Sequence, residues 1–101
     1  MAITFIKLEK FTTESKYFTF DFSGETEIAG GDTIASFLSL VAYPPTGLTL
    51  GIPALSGTSK VLVKISDGVG DVLYTLYCTV QTTGGSILTL EGDLFISKPK
   101  V

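Results

Sequence analysis

The alternation of apolar and polar residues is clearest between positions 72 and 98. Apolar residues occupy every second position on both sides of a glycine pair, as in β-strands with one buried face. Gly84-Gly85 predicts a two-residue turn, because its central positions need positive φ. A hairpin of this length needs a second apolar layer, which the rest of the chain is expected to supply. The predicted inward residues of the hairpin are Leu76, Cys78, Val80, Leu88, Leu90, Leu94 and Ile96.

Shorter alternating segments predict the other strands. In residues 17–22, Phe18, Phe20 and Phe22 share one face and are expected to anchor the core. Residues 60–66 alternate in the same way. The apolar pieces at 48–50 and 54–56 predict edge strands and loop, because Pro53 between them cannot donate to a central ladder. Residues 2–10 alternate only loosely, which predicts either an edge strand or an arm that packs on another subunit.

The segment 33–43 fits more than one structure. Its spacing suits a helix, but a strand is favoured because Pro44-Pro45 ends the segment abruptly and the neighbouring segments are β-rich. A β-bulge that switches the inward face midway would explain the mixed pattern. Two sets of residues could face the core: Ile34, Leu38 and Leu40, or Ala35, Phe37 and Val41.

These elements predict an all-β fold, an immunoglobulin-like antiparallel β-sandwich of about seven strands, with no helix long enough for a βαβ crossover. Residues 1–12 are interpreted as an N-terminal arm or edge strand and residues 13–101 as the sandwich domain. Tyr74 follows the Gly70-Asp71 turn and is a candidate for the corner tyrosine of such folds. It precedes Cys78 by four residues, whereas two is the usual spacing.

Composition narrows the class of protein. Hydrophobic residues make up 45% of the chain, which fits either apolar strands or surface kept for a permanent partner. There is no apolar run long enough for a membrane span, and the first residues lack the pattern of a secretion signal. Cys78 stands alone and cannot form an internal disulfide, which fits a reducing cytosol and a small core residue. A net charge of −3 without arginine disfavours nucleic-acid binding.

The sequence offers little catalytic or metal-binding chemistry. Without histidine, a Ser-His-Asp arrangement and any zinc site that uses histidine are excluded. Asp67 and Asp71 bracket a glycine loop and are interpreted as turn residues rather than calcium ligands. Glu91 and Asp93 share a strand face that is interpreted as solvated. No catalytic, cofactor-binding or metal-binding residue is predicted, and no enzyme activity or cofactor is expected.

Outward-facing aromatic and aliphatic residues are the remaining candidates for function. Single exposed aromatics are common on protein surfaces, but tyrosine and phenylalanine are also favoured anchors of interfaces. Phe37 is a further aromatic that could point outward, and the polar face of the predicted hairpin is a second candidate contact surface. That polar face holds Thr75, Tyr77, Thr79, Thr89 and Glu91. The predicted assembly surface holds Ile3, Phe5, Tyr17, Tyr43, Tyr77 and Phe95.

Several stretches in a fixed order carry a family resemblance over residues 5–97. They are Phe5-Ile6-Lys7, YFTFDFSGE, GGDTIASFLSLVA, PTGLTLGIPALSGTSKVLVKISDG and YTLYCTVQTTGGSILTLEGDLFI. The chain resembles small tailed-phage virion proteins that are immunoglobulin-like structural proteins or fibre–tail adaptors. Phe22 stands where that family usually has tryptophan, and the loop after it is short.

The resemblance implies a non-enzymatic bacteriophage structural protein in the neck or tail that joins fibres or other parts to the particle. It would be made in the host cytoplasm, reside in the virion and contact other virion proteins in multiple symmetric copies. One alternative is a capsid decoration, or cement, protein of the phage head. A second is a module that binds carbohydrate or a host surface.

Overall fold

The computed structural model describes residues 5–98 and confirms the all-β prediction. This part of the chain holds eight strands and one short helical turn. Their bounds are β1 Phe5–Phe11, β2 Lys16–Asp21, α1 Thr26–Ala29, β3 Ile34–Tyr43, β4 Leu48–Leu50, β5 Ala54–Ser56, β6 Lys60–Asp67, β7 Leu73–Thr82 and β8 Ile87–Ser97. Ile3 lies outside the described residues. The helical turn falls between the breakers at residues 23–25 and 30–32, where the sequence leaves room for no more than one turn.

The strands form two sheets packed as a sandwich. The front sheet has the order β1-β8-β7-β3, and the back sheet has the order β2-β6-β4 with β5 also paired to β6. The predicted immunoglobulin-like sandwich is confirmed, and the predicted hairpin is the centre of the front sheet. One pair departs from the antiparallel prediction: β1 runs parallel to β8, with Phe5 opposite Glu91 and Phe11 opposite Ser97. The turn after β1 carries the chain to the back sheet, so β1 is not held antiparallel by a hairpin to its neighbour.

Residues 5–11 therefore lie along the edge of the front sheet. The division of the chain at residue 12 stays a prediction. Lys10 on this strand is buried, although lysine side chains usually lie in solvent. Its side chain is only 2% exposed, and its ammonium donates to the carbonyl oxygen of Phe11 at 2.7 Å. Burial lowers the pKa of Lys10, because desolvation disfavours the charged ammonium.

The core lies between the sheets and contains the predicted inward residues. Phe20 and Phe22 are fully buried, and Phe18 is nearly so, as the alternation predicts. Each fully buried side chain of this size contributes about 1.5–3 kcal/mol to the free energy of unfolding. Ten further members come from the central strands of both sheets: Val61, Val63, Ile65, Leu76, Cys78, Val80, Leu88, Leu90, Leu94 and Ile96.

The strand β3 resolves the ambiguous segment. Its register with β7 shifts twice, between Ile34 and Ser36 and between Phe37 and Ser39, so the predicted bulge is confirmed and a second one accompanies it. Each bulge replaces a step of two residues with a step of three along the inward face. Neither predicted inward set is complete, and Phe37 packs against the core instead of pointing outward. The inward residues are Ile34, Phe37, Leu40 and Ala42.

The turn between β7 and β8 differs from the predicted two-residue turn. Thr82 donates its amide to the carbonyl of Ser86 at 2.8 Å, which leaves a three-residue loop. Gly85 alone of the two glycines has positive φ, at 94°. Such loops end in a left-handed residue, a position that glycine occupies without strain. Gly84 serves another purpose: its amide donates to Asp32 Oδ1 at 3.1 Å, and a Cβ there would lie 2.7 Å from Asp32 Oδ2.

Tyr74 occupies the corner predicted for it, despite its unusual spacing from the cysteine. The side chain is fully buried. Its hydroxyl donates to the carbonyl oxygen of Thr46 at 3.0 Å and accepts from the amide of Val69 at 3.1 Å. The hydroxyl thus joins the β3–β4 connection to the β6–β7 connection. Gly47 lies against it with φ of 86°, and a Cβ at that position would approach the hydroxyl to 2.9 Å.

Candidate assembly surface

The outer face of the front sheet carries polar pairs across β7 and β8. Thr75 donates its hydroxyl to Asp93 Oδ1 at 3.3 Å, and the hydroxyls of Thr79 and Thr89 lie 3.0 Å apart. All four residues are half-buried and directly opposite each other in the register. Cross-strand pairs of this kind stabilise a sheet by satisfying polar groups locally. This predicted polar contact surface therefore has much of its hydrogen-bonding capacity already used within the sheet.

Tyr77 lies at the centre of the same face. Its cross-strand partner is Glu91, and a hydrogen bond to that carboxylate raises the pKa of the Tyr77 hydroxyl. The ring of Tyr43 meets the ring of Tyr77 edge to face, with centroids 6.1 Å apart. Aromatic pairs prefer this arrangement, because the positive ring edge approaches the negative ring face. The two predicted aromatics form one contacting pair on the surface.

Exposed apolar side chains share this sheet face with the aromatic pair. Phe95 and Leu73 lie opposite each other in the register and are 36% and 51% exposed. Tyr43 is 57% exposed, and Val41 beside it is also exposed. We call this outer surface of β3, β7 and β8 the front face. It combines rigid aromatics with satisfied polar pairs, a composition that protein interfaces share.

The front face brings together three of the six residues predicted for assembly. Tyr43, Tyr77 and Phe95 lie on it, whereas Tyr17 lies on the outer surface of the back sheet. There the ammonium of Lys64 is 5.8 Å from the centroid of the Tyr17 ring, a cation–π contact. Phe5 pairs through its backbone with Glu91 at the edge of the front sheet. The role of these residues in assembly stays a prediction.

One flank of the sandwich carries exposed apolar surface that was not predicted from residue type. β3, β4 and β5 together contain no charged residue, because none occurs between Asp32 and Lys60. That long charge-free run in the sequence indicates an uncharged surface on this side. We call this side the uncharged flank. Several of its large apolar residues are exposed, and Ile52 is the most exposed at 94%. The others on this flank are Leu38, Val41, Tyr43 and Leu55.

A groove of about 280 Å³ opens in the uncharged flank between the two sheets. It runs between the end of β3 and β4, the edge strands of the front and back sheets on this side. Its lining is entirely apolar in residue type apart from the tyrosine hydroxyl. The lining residues are Leu40, Val41, Ala42, Tyr43, Pro45, Leu48 and Leu50.

Reactive and metal-binding arrangements are scarce in the described chain. Within residues 5–98, no three side chains of the metal-ligating types cluster together. Asp67 and Asp71 both adopt left-handed turn conformations, with φ of 61° and 64°, as the turn interpretation predicts. Asp67 Oδ2 accepts a hydrogen bond from the Thr49 hydroxyl at 2.5 Å. Cys78 is fully buried, and burial raises its pKa to about 12, so its thiol is protonated at neutral pH.

Glu25 is the one buried carboxyl group without a hydrogen-bond partner in the described chain. It precedes α1, its side chain is 1% exposed, and neither carboxylate oxygen is bonded. Its backbone is satisfied, because the amide donates to Phe22 and the carbonyl accepts from Ala29. Desolvation, followed by repulsion from Glu27, raises the pKa of Glu25 above the ordinary value of a glutamate.

The fold and its surfaces define a small immunoglobulin-like structural domain with apolar surface open to a partner. A family model described as "Podophage GP4 fiber-tail adaptor protein gp77" matches residues 10–94. Because the match covers most of the chain, this protein belongs to that family of phage fibre–tail adaptors. The family predicted from the sequence motifs is thus confirmed.

No curated protein matches the chain. Among solved structures, a 2,6-sialyltransferase of Photobacterium sp. JT-ISH-224 is similar over 97% of this chain, at 12% identity and a TM-score of 0.45. The chain spans 19% of the length of that enzyme, and a likeness of this size says nothing about activity. No helix among residues 5–98 has both the length and the apolar character needed to cross a membrane.

Proposed function

We propose that this chain is a non-enzymatic structural component of a phage tail or neck, where it joins fibres or other parts to the particle. The observation that carries the proposal is the family match over residues 10–94. The fold supports it, because an immunoglobulin-like sandwich is a rigid support from which strands and loops present contact surface. The protein would be made in the host cytoplasm and then built into the virion.

Two adjoining surfaces of the domain, which share Val41 and Tyr43, suit contact with a partner. The front face presents the Tyr43–Tyr77 pair and Phe95, and the uncharged flank presents an apolar groove. Apolar surface of this extent is costly to leave in water, and an interface buries it. Cys78 is not placed to act as a nucleophile, because its thiol is buried and protonated. The arrangement favours binding over catalysis.

Cryo-electron microscopy of the intact phage tests the location. We expect density for the sandwich at the tail vertex, between a fibre and the tail, in copies related by the tail symmetry. Density at capsid lattice positions would instead identify a cement protein of the head. A glycan array probed with the purified chain separates the remaining alternative, because specific binding there would favour a module that recognises a host surface.

A further inference from the structure

The two halves of β3 differ in how the structure covers their outer edge. In the first half, both bulges occur, and the amide of Ile34 donates to the carbonyl of Thr58 at 2.9 Å, which ties this end to the back sheet. From Leu40 to Tyr43 the register with β7 is regular. No other strand among residues 5–98 pairs with that half on its far side. Its outer backbone groups therefore face the groove side with the geometry of an ordinary strand.

Edge strands in water are usually protected, because their free backbone groups can pair with another chain. Charged side chains, prolines and bulges are the common protections. β3 has its bulges only in the first half, and it contains neither a charge nor a proline. Its second half thus combines an open backbone edge, exposed Val41 and Tyr43, and an adjoining apolar groove.

We propose that an extended, uncharged segment of another virion protein binds here by adding as a strand along residues 40–43. The segment would pair with the free backbone edge and place alternate apolar side chains in the groove between the sheets. This inference deepens the proposed adaptor function, since it names the chemistry by which the chain holds one partner.

The groove fits such a segment in volume and in charge. A cavity of about 150 Å³ accommodates a benzene ring, so about 280 Å³ accommodates roughly two apolar side chains. The lining offers no charged group, and the flanking sequence from 33 to 59 offers none either. A charged side chain inserted here would lose its hydration without gaining a partner, so the segment must be uncharged where it inserts.

A second copy of this chain fits the groove less well. Its own β3 could pair edge to edge with this one, because neither strand carries a charge. The inward side chains of that strand, such as Leu40 and Ala42, are however already packed in the core of its own sandwich. It therefore has no free side chains to place between these two sheets. A segment with both faces free can satisfy the edge and the groove together.

Overlapping 15-residue peptides from the tail and fibre proteins of the phage that encodes this chain provide the test. The full chain is titrated with each peptide, and amide hydrogen exchange locates the binding. Val41→Lys places a charge at the open edge, and Tyr43→Lys is a second blocking variant at a more exposed position. Ile87→Lys is the matched control, because Ile87 is equally apolar and exposed but lies at the other end of the front sheet. Each variant must show a cooperative thermal transition before it is titrated.

We expect at least one peptide with alternating apolar residues and no charge at its inserted positions to bind the natural chain. Binding should protect the amides of residues 40–43, both blocking variants should weaken it at least tenfold, and Ile87→Lys should change it less than twofold. The inference is overturned if no peptide binds, if the inserted positions are charged, or if the control weakens binding as much as the blocking variants. A Val41-dependent dimer that excludes peptide would identify a second copy as the occupant and would also overturn it.

The result of the peptide-binding test can be distinguished from the result of the test of the proposed function. Density at the tail vertex without peptide binding would leave the adaptor function standing and remove this groove as its contact. Peptide binding by a chain found on the capsid lattice would leave the groove standing and remove the proposed position.

Discussion

Replacing Tyr74 with phenylalanine removes one oxygen from the corner of the sandwich and leaves the ring in place. The hydroxyl makes two hydrogen bonds, to the Thr46 carbonyl at 3.0 Å and from the Val69 amide at 3.1 Å. A hydrogen bond of this kind contributes about 0.5–1.5 kcal/mol net, so the two together amount to about 1–3 kcal/mol. The loss falls on both connections that the hydroxyl joins, and the apolar core is unchanged.

Urea unfolding monitored by circular dichroism measures this loss. In a separate thermal scan, a decrease of about 2 kcal/mol in the free energy of unfolding lowers the melting temperature of a domain of this size by roughly 8–16 °C. The dependence of the free energy of unfolding on urea should not change, because the same surface is exposed on unfolding. Tyr17→Phe is the matched control, since Tyr17 is 65% exposed and no hydrogen bond of its hydroxyl is seen. It should stay within about 0.5 kcal/mol of the natural chain.

Gly47→Ala tests the same corner from the other side. The added Cβ would lie 2.9 Å from the Tyr74 hydroxyl and 2.8 Å from Val69 Cγ2, at a left-handed φ that alanine adopts with strain. We expect the substitution to destabilise the chain, and to do so less when Tyr74 is already phenylalanine, because one of the clashes is then gone. A Tyr74→Phe variant as stable as the natural chain would refute the corner as a source of stability.

Three further substitutions or reactions probe buried and bonded groups. Glu25→Gln should raise the free energy of unfolding at neutral pH, because the glutamine side chain carries no charge to bury. The pKa of Glu25 is raised, so the stability that protonation gives is present below the unfolded pKa and lost as pH rises through the folded pKa. The excess stability of the variant in urea titrations should therefore shrink as pH falls, and a difference independent of pH would contradict this reasoning. Asp32→Ala should speed hydrogen exchange of the Gly84 amide, which donates to the Asp32 carboxylate. Bonds from the Thr82 hydroxyl and from backbone amides lower the pKa of Asp32, so in the natural chain the Gly84 amide should lose its protection as pH falls through that lowered pKa. Unchanged exchange in the variant would contradict the hydrogen bond between Gly84 and Asp32. Cys78 should resist thiol reagents at pH 8 in the folded chain and react fully in urea, because its pKa is raised to about 12 by burial; rapid labelling of the folded chain would show that the core opens.

The regular strands could be predicted from the sequence because their burial alternates with period two. The Phe18–Phe22 face and the inward residues of β7 and β8 follow that rule. β3 could not be assigned in the same way, because each bulge inserts an extra residue and the inward spacing becomes i, i+3, i+6. Spacing of that kind is also helical, so pattern alone cannot separate the two structures.

Other features depend on contacts between distant residues. The loop at Gly84 is set by Asp32, which lies 52 residues earlier, and a glycine pair alone does not reveal that bond. Lys10 is buried although Glu9 before it is charged, because Lys10 lies opposite the inward-facing Ile96 in the parallel pair. The assembly surface was predicted from residue type, which selected Tyr43, Tyr77 and Phe95 on the front face but also Tyr17 on the back sheet. The groove depends on how two edges meet, and only the charge-free run hinted at it.

The parallel pairing of β1 with β8 has a mechanical consequence. The pair begins with Phe5 opposite Glu91 and ends with Phe11 opposite Ser97, so the chain enters at one end of the pair and leaves at the other. Tension applied between the two ends of the chain pulls the strands past each other along their length. The hydrogen bonds of all 7 residues of β1 are then loaded in shear together, instead of being unzipped one after another. A domain built in this way resists being pulled apart at forces that would open a terminal hairpin.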